Sequence, residues 1–488
     1  MNGGQAPLEI LKVIKKLEIG PVKVERKRFI APYKVVQNHQ VFETELIYSY
    51  EENVFDPAEP ASRHLANMIA AQVAMNYGLF CEEIVFHGEF GAADQKFIED
   101  MTENTANEIY VMKFLEPNPF LVGDAKNLRV EKREKYSQAR LEFTYTSTEY
   151  FQSWDSQTEQ YAILSSGGKD SLLSFALMDE LGYETHPIFG NESGRHWFTA
   201  LNAFRHFKAN IPNTARVWMN SDRVFAWMLR HLPFVRQDFA SVRADIYPIR
   251  LWTVAVFLFG VLPLLRKRGI GNLLIGDEYD STWTGAFQGI PHYEGLYDQS
   301  RYFDDALTLY FQHNKWGIHQ FSILRPLSEM LILRILVSRY PALQAHQVSC
   351  HAAHKQGERI HPCGKCEKCR RIIGMLTAFG ADATRCGYTT EQIASCLDAL
   401  AIKSIHQEAE GIAQLLHMLV EQGKIELSEQ QRETLQSHPE ILNMRFHPEN
   451  SPIDYLPDAI RKPLLQIFLQ YAIGGLQWRE GQWHDVKL

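Results

Sequence analysis

Between about Gln160 and Asp280 the chain alternates short apolar strands with helical stretches, and no other feature constrains its fold as tightly. YAILS, THPIFG, ARVWMN and NLLIGDEYD have the length and residue types of strands, whereas SLLSFALMDELGY, HWFTALNAFRHF and VFAWMLRHL have helical spacing. Strands and helices taking turns imply parallel βαβ units, and so an α/β fold built on a doubly wound parallel sheet. The most apolar segment, LWTVAVFLFGVLPLL, lies between Arg250 and Arg266 and falls short of the roughly 20 residues of a membrane-spanning helix. It reads as a buried helix.

The whole chain, 488 residues, is too long for one ordinary core. Residues 1–150 read as an N-terminal α+β domain, with strands across 20–50, a helix in SRHLANMIAAQVAMNYGLF, a strand in CEEIVFHG and a helix around KFIEDMTENTANEIYVMKFL. A polar stretch follows in which RLEFTYTSTEYF keeps strand character. The α/β domain then occupies 160–380, and 381–488 reads as an amphipathic helical C-terminal extension without a chemical motif. A net charge of -8 argues against a nucleic-acid-binding surface, despite basic runs at Lys23 to Arg28 and Arg266 to Arg268. Lysines interrupt the apolar positions at the N-terminus, so a cytoplasmic protein with no membrane attachment is expected.

At the end of YAILS stands SGGKDS, Ser166 to Ser171, leading into a helix. In doubly wound sheets ligands bind where a strand's carboxyl end feeds a helix N-terminus, whose free amides favour anions. Gly167 and Gly168 let the backbone approach phosphate oxygens, Lys169 adds charge, and Ser166 and Ser171 offer hydroxyls. Asp170 fits an anion site when a divalent cation mediates the contact. The Walker pattern is absent because Asp170 follows Lys169, and G-x-G-x-x-G is absent too.

A second cluster, CHAAHKQGERIHPCGKCEKC, spaces Cys350, Cys363, Cys366 and Cys369 as C-x12-C-x2-C-x2-C. Four soft ligands so arranged suit a closed, structural tetrahedral zinc site, with Lys365, Lys368, Arg370 and Arg371 offsetting thiolate charge. An iron-sulfur cluster or free thiols are the alternatives, and His351, His354 or His361 lies near enough in sequence to replace one cysteine.

SGGKDS between strand and helix resembles the loop of the PP-loop ATP pyrophosphatases, the adenine nucleotide alpha hydrolase-like (HUP) superfamily. The resemblance implies ATP and Mg2+ as cofactors beside Zn2+, a loop gripping the β and γ phosphates, and adenylation of a substrate oxygen with release of pyrophosphate. Two branches are similar in further motifs. The MurL-type UDP-N-acetylmuramoyl-L-alanyl-L-glutamate epimerases share an N-terminal α+β domain, an acidic segment (here Asp277-Glu278), L-R-P-L-S-E (Leu324 to Glu329) and CGxCxKC. The 7-cyano-7-deazaguanine synthases (QueC-like) share the zinc motif and a G-x-R-H element, with Gly194-Arg195-His196 here. By that resemblance Lys169, Asp170, Arg195 and Glu278 are the catalytic candidates, with Asp170 contacting magnesium. Arg195, His196, Asp280 and Arg325 are candidates for binding a small-molecule or peptide carboxylate. Both epimerisation and amine attack on the adenylate remain open, as do a homo-oligomer or an operon-encoded partner. Transfer-RNA thiolation enzymes share the loop but need RNA-binding surface and unligated thiols, which fits an acidic chain with metal-spaced cysteines poorly.

Overall fold

Period-two alternation builds the first sheet. In Arg28–Gln37 the residues Phe29, Ala31, Tyr33 and Val35 are buried while their neighbours are not, so one face looks into a core. The strand turns back at Asn38 and His39, both at positive φ, into Gln40–Tyr50 with Gln37 opposite Gln40. The computed structural model describes residues 5–146, 152–192, 194–242, 248–350, 352–403, 405 and 407–488. The tail of the expected strand over 140–151 therefore lies partly outside the described residues.

The described chain is a mixed α/β fold that divides into two units, each assembled from three segments. The first comprises Met1–Gln157, Arg216–Gly271 and Thr282–His319. In its sheet Arg28–Gln37 pairs antiparallel with Gln40–Tyr50 and Ile14–Ile19, and Ile14–Ile19 runs parallel to Cys81–Phe90, which runs parallel to Arg140–Thr146. Residues of Ala215–Met219, a strand expected to serve the parallel α/β domain, pair antiparallel with Gln40–Tyr50. The apolar segment forms the helix Val254–Arg268, buried along most of its length. Asp298 Oδ2 accepts from the amides of Thr253, Val254 and Ala255 at 2.8, 2.6 and 3.1 Å, satisfying the helix start. Its Gly260 admits the Tyr48 ring, which a Cβ would meet at 2.7 Å.

The second unit comprises Thr158–Ala215, Asn272–Ser281 and Gln320–Leu488. Gln157–Ser165 runs parallel to Glu184–Asn191, with Ile270–Leu274 on its other flank and His319–Phe321 beyond. Every residue of Ile270–Leu274 is buried, as in a strand covered on both faces. The helices Lys169–Glu180, Arg195–Asn210 and Glu329–Arg339 supply its core through Leu172, Phe207 and Leu333 among others.

These units differ from the three consecutive stretches expected from the sequence. Residues 381–488 are no separate appendage: Leu400, Leu415, Leu464 and Phe468 belong to the same hydrophobic cluster as Leu172 and Ile373. Nor are they wholly helical, since Met444–Phe446, Gly475–Arg479 and Gln482–Val486 form a three-stranded sheet. The amphipathic helices Thr390–Leu400 and Ala409–Glu421 each have one apolar face to bury, and the core of the second unit is where they bury it. Among the described residues no helix is long and apolar enough to cross a membrane.

Candidate phosphate-binding cleft and metal centre

Strand Gln157–Ser165 ends, and helix Lys169–Glu180 begins, on either side of Ser166-Gly167-Gly168. Gly167 sits at φ +73°, and a Cβ there would stand 3.0 Å from Ala200 Cα and 3.2 Å from the Thr199 carbonyl oxygen. Both the turn and the packing therefore require glycine. The Gly168 amide donates to Ser166 Oγ at 3.4 Å, and the Ser171 hydroxyl donates to the Gly168 carbonyl at 3.2 Å. A second glycine constraint lies across the loop. A Cβ on Gly276, just beyond Ile270–Leu274, would fall 2.5 Å from Asp170 Cβ and 3.2 Å from the Ser171 nitrogen. This close approach brings the acidic segment Asp277 to Asp280 onto the first turn of the loop's helix.

Lys169 is the hub of the site. It is only 6 % exposed, and its Nζ lies 2.7 Å from Asp170 Oδ1, 3.2 Å from Glu278 Oε2 and 3.4 Å from Glu329 Oε1. Burial alone would lower its pKa, but the charges of Asp170, Glu278 and Glu329 outweigh it and hold the ammonium well above its ordinary range. Burial pushes Glu278 well above the usual carboxylate range against the pull of Lys169, with Asp170 and Glu329 adding repulsion. Glu329 is also penalised by burial, yet Lys169 and Arg371 hold it below that range. Asp280 is pushed up to about 6 by burial and by the neighbouring Glu408 and Glu329.

Ser166, Gly168, Lys169 and Asp170 line a cleft of about 210 Å³ together with Thr199, Glu329, Val348, Ser349, Lys368, Arg371 and Ile372. That is less than the roughly 300–1,000 Å³ of pockets enclosing a whole drug-sized ligand, and it suits a compact polar group such as a phosphate chain. The cleft brings three cationic side chains together with two carboxylates, a composition suited to a polyanion accompanied by a divalent cation.

The four cysteines of the second cluster converge. Their ligand atoms all lie within 4.8 Å of one another. Sulfur–sulfur distances are 3.5 Å for Cys366–Cys369, 3.6 Å for Cys350–Cys366 and 3.8 Å for Cys363–Cys369. A tetrahedral ion with metal–sulfur bonds of about 2.3 Å sets its ligands about 3.8 Å apart, so the spacing fits zinc, and it is far too long for disulfides. Gly364, at φ +66°, makes the turn between Cys363 and Cys366, and Cys366 is the N-cap of helix Glu367–Ala378. The four thiols can hold a metal such as zinc. His354 is exposed and His361 Nδ1 lies 2.9 Å from the Gly387 carbonyl oxygen, so neither joins the group, and His351 lies outside the described residues.

The other singled-out residues are placed as follows. Arg325 is fully buried, its Nη2 3.3 Å from Asp277 Oδ2 and its Nη1 donating to Ser281 Oγ at 2.6 Å. It therefore faces the acidic segment from the protein interior, and it does not line the cleft. Arg195 and His196 stand in the first turn of helix Arg195–Asn210, with side chains outside the described residues. Asp280 shares its surroundings with residues of the C-terminal segment. There Arg445 makes a two-pronged pair with Glu408 at 2.6 and 2.9 Å and lies 3.9 Å over the Tyr279 ring. Sequence reasoning passed over Gly276 and Glu329 as site residues, and it assigned Lys368 and Arg371 to the thiolates alone. No family model and no curated protein matches the chain.

Proposed function

We propose that the protein is an ATP-dependent adenylating enzyme that converts a carboxylate to its acyl adenylate, releasing pyrophosphate. The observation carrying this reading is the convergence of the SGGKDS loop, Lys368 and Arg371 around one small cleft, with three carboxyl groups, Asp170 and Glu329 of the cleft and Glu278 beside it, meeting at Lys169. A substrate carboxylate oxygen attacks the α phosphorus, the bond from that phosphorus to the bridging oxygen breaks, and the electron pair leaves with pyrophosphate. Loop amides, Lys169, Lys368 and Arg371 are suited to the negative charge that develops on the leaving group. Magnesium, when bound, would neutralise phosphate charge. Asp170 and Glu278 are the partly exposed carboxylates suited to hold it, since such sites use one or two carboxylates and complete the shell with phosphate oxygens and water.

The activated acid has a more acidic α C–H and a more electrophilic carbonyl, so epimerisation or amine attack can follow. The combination of an N-terminal α+β region, L-R-P-L-S-E and CGxCxKC favours epimerisation of the terminal L-glutamate of UDP-N-acetylmuramoyl-L-alanyl-L-glutamate. The placement of Gly194-Arg195-His196 at a helix start beyond Glu184–Asn191 favours, as the second reading, adenylation of a carboxy-deazaguanine before attack by an amine. The test is incubation with ATP, Mg2+ and each acid in turn. AMP and pyrophosphate formed only with the muramoyl dipeptide nucleotide support the first reading, and formed only with the deazaguanine acid they support the second. ADP as the sole product excludes adenylation.

A further inference from the structure

Five of the residues that line the cleft are tied in sequence to the thiol cluster. Val348 and Ser349 immediately precede Cys350. Lys368, Arg371 and Ile372 lie at positions three and four apart that share a face of helix Glu367–Ala378. The same helix turns Cys369 toward the core and takes Cys366 as its N-cap, without a side-chain hydrogen bond from the cap. The two segments meet through sulfur, with Cys350 Sγ 3.6 Å from Cys366 Sγ and the Cys363 amide donating to Cys350 Sγ at 3.4 Å.

We propose that the thiolate cluster is the clasp of this cleft, so that a soft divalent metal on the four sulfurs and a polyphosphate against Lys368 and Arg371 bind cooperatively. This rests on the reading of the cleft as the nucleotide site. With the metal bound, the first turn of Glu367–Ala378 is fixed against the segment ending at Cys350, and its two cations face the glycine loop at a set distance. Without it, four crowded sulfurs lose the charge that holds them together, the turn frays, and the cations drift from the loop. A polyphosphate spanning loop and helix favours the clasped arrangement in return. Linkage requires the two effects to be equal: the factor by which metal tightens polyphosphate is the factor by which polyphosphate tightens metal.

The experiment measures both directions on the full chain. Calorimetry with ATP and with pyrophosphate, in Mg2+, compares zinc-loaded and chelator-stripped protein, and a colorimetric chelator follows zinc loss with and without saturating pyrophosphate. The expected results are polyphosphate binding about tenfold weaker after stripping and zinc retention strengthened by a similar factor when pyrophosphate is present. Lys368→Gln with Arg371→Gln should keep its zinc yet bind pyrophosphate weakly, and its zinc loss should no longer respond to pyrophosphate. That variant decides the matter even where the stripped chain fails to stay folded. If ATP binds the loaded protein but zinc loss ignores it, the clasp is wrong and the nucleotide site stands. If neither ATP nor pyrophosphate binds the loaded protein, both fall.

Discussion

At the scale of single residues the site turns on Lys169, which is buried and surrounded by three carboxylates. Removing one partner of a buried charged cluster leaves the others uncompensated, at a cost of about 3–5 kcal/mol. Lys169→Met should therefore lower the stability of the second unit by about that amount and abolish pyrophosphate release, read by thermal unfolding and a coupled phosphate assay. A variant of parental stability would show that Asp170, Glu278 and Glu329 do not depend on the ammonium. In the first unit Glu108, buried against the Tyr293 amide at 3.0 Å, is pushed up to about 8 by burial. Its carboxyl keeps a proton on folding that the unfolded chain releases above about 4.5, so its contribution to stability is intact below that pH and is lost as pH rises towards 8. Glu108→Gln removes this dependence. Its melting temperature should match the parent's at pH 4.5, exceed it progressively up to pH 8 and keep a constant advantage above; parallel curves would refute the assignment.

At the scale of elements the strand, glycine loop and helix form a unit against which Gly276 packs, and Gly276 and the loop's Gly168 answer to different demands. Gly276→Ala would force a Cβ to within 2.5 Å of Asp170 Cβ and 3.0 Å of the Asp170 carbonyl carbon, a clash no rotamer relieves. It should cost about 1–3 kcal/mol and weaken ATP binding by shifting the start of Lys169–Glu180. A Cβ on Gly168 meets only Ser166 Oγ, at 3.3 Å, so Gly168→Ala should spare stability and reduce polyphosphate affinity alone, as calorimetry beside thermal unfolding would establish. The loop was legible in the sequence because its chemistry is local: a strand end, two glycines and a helix start fall within a dozen residues. The cysteine group was legible for the same reason. Gly276, Glu329, Lys368 and Arg371 were not, since each acquires its place only through residues distant in sequence, Gly276 against Asp170, Glu329 at Lys169, Arg371 at Glu329 and Lys368 in the same cleft as the loop. Arg325 drew notice in L-R-P-L-S-E for its fork of donors, yet helix Glu329–Arg339 starts just after it, capped by Ser328. It is Glu329 that reaches Lys169, while Arg325 turns to Asp277. Charge and hydrogen-bonding capacity are visible in a string of residues; the direction in which they point is not.

At the scale of the whole molecule, the division of each unit among three segments of chain means that neither can be cut out at the polar stretch near residue 150. The same logic governs the C-terminal region, where sequence showed amphipathic helices but not what they cover. Helix Glu367–Ala378 presents Lys368 and Arg371 to the cleft on one side, and on the other its Gly374 lies so close to the C-terminal helices that a Cβ would stand 2.8 Å from Leu400 Cδ1 and 3.3 Å from Leu415 Cδ2. The helix is thus held from behind by Thr390–Leu400 and Ala409–Glu421. Ending the chain at Gly380 would expose Ile373, Leu376 and the rest of that core face, and the product should aggregate rather than behave as a compact domain. Gly374→Leu puts the same support under strain in the intact chain, costing about 1–3 kcal/mol by overpacking. Because that helix carries Cys369 and starts at Cys366, the variant should remain folded at low temperature but give up zinc to a chelator several-fold faster than the parent. Unchanged zinc loss beside a lowered melting temperature would mean that the C-terminal region supports the core without bearing on the thiol cluster.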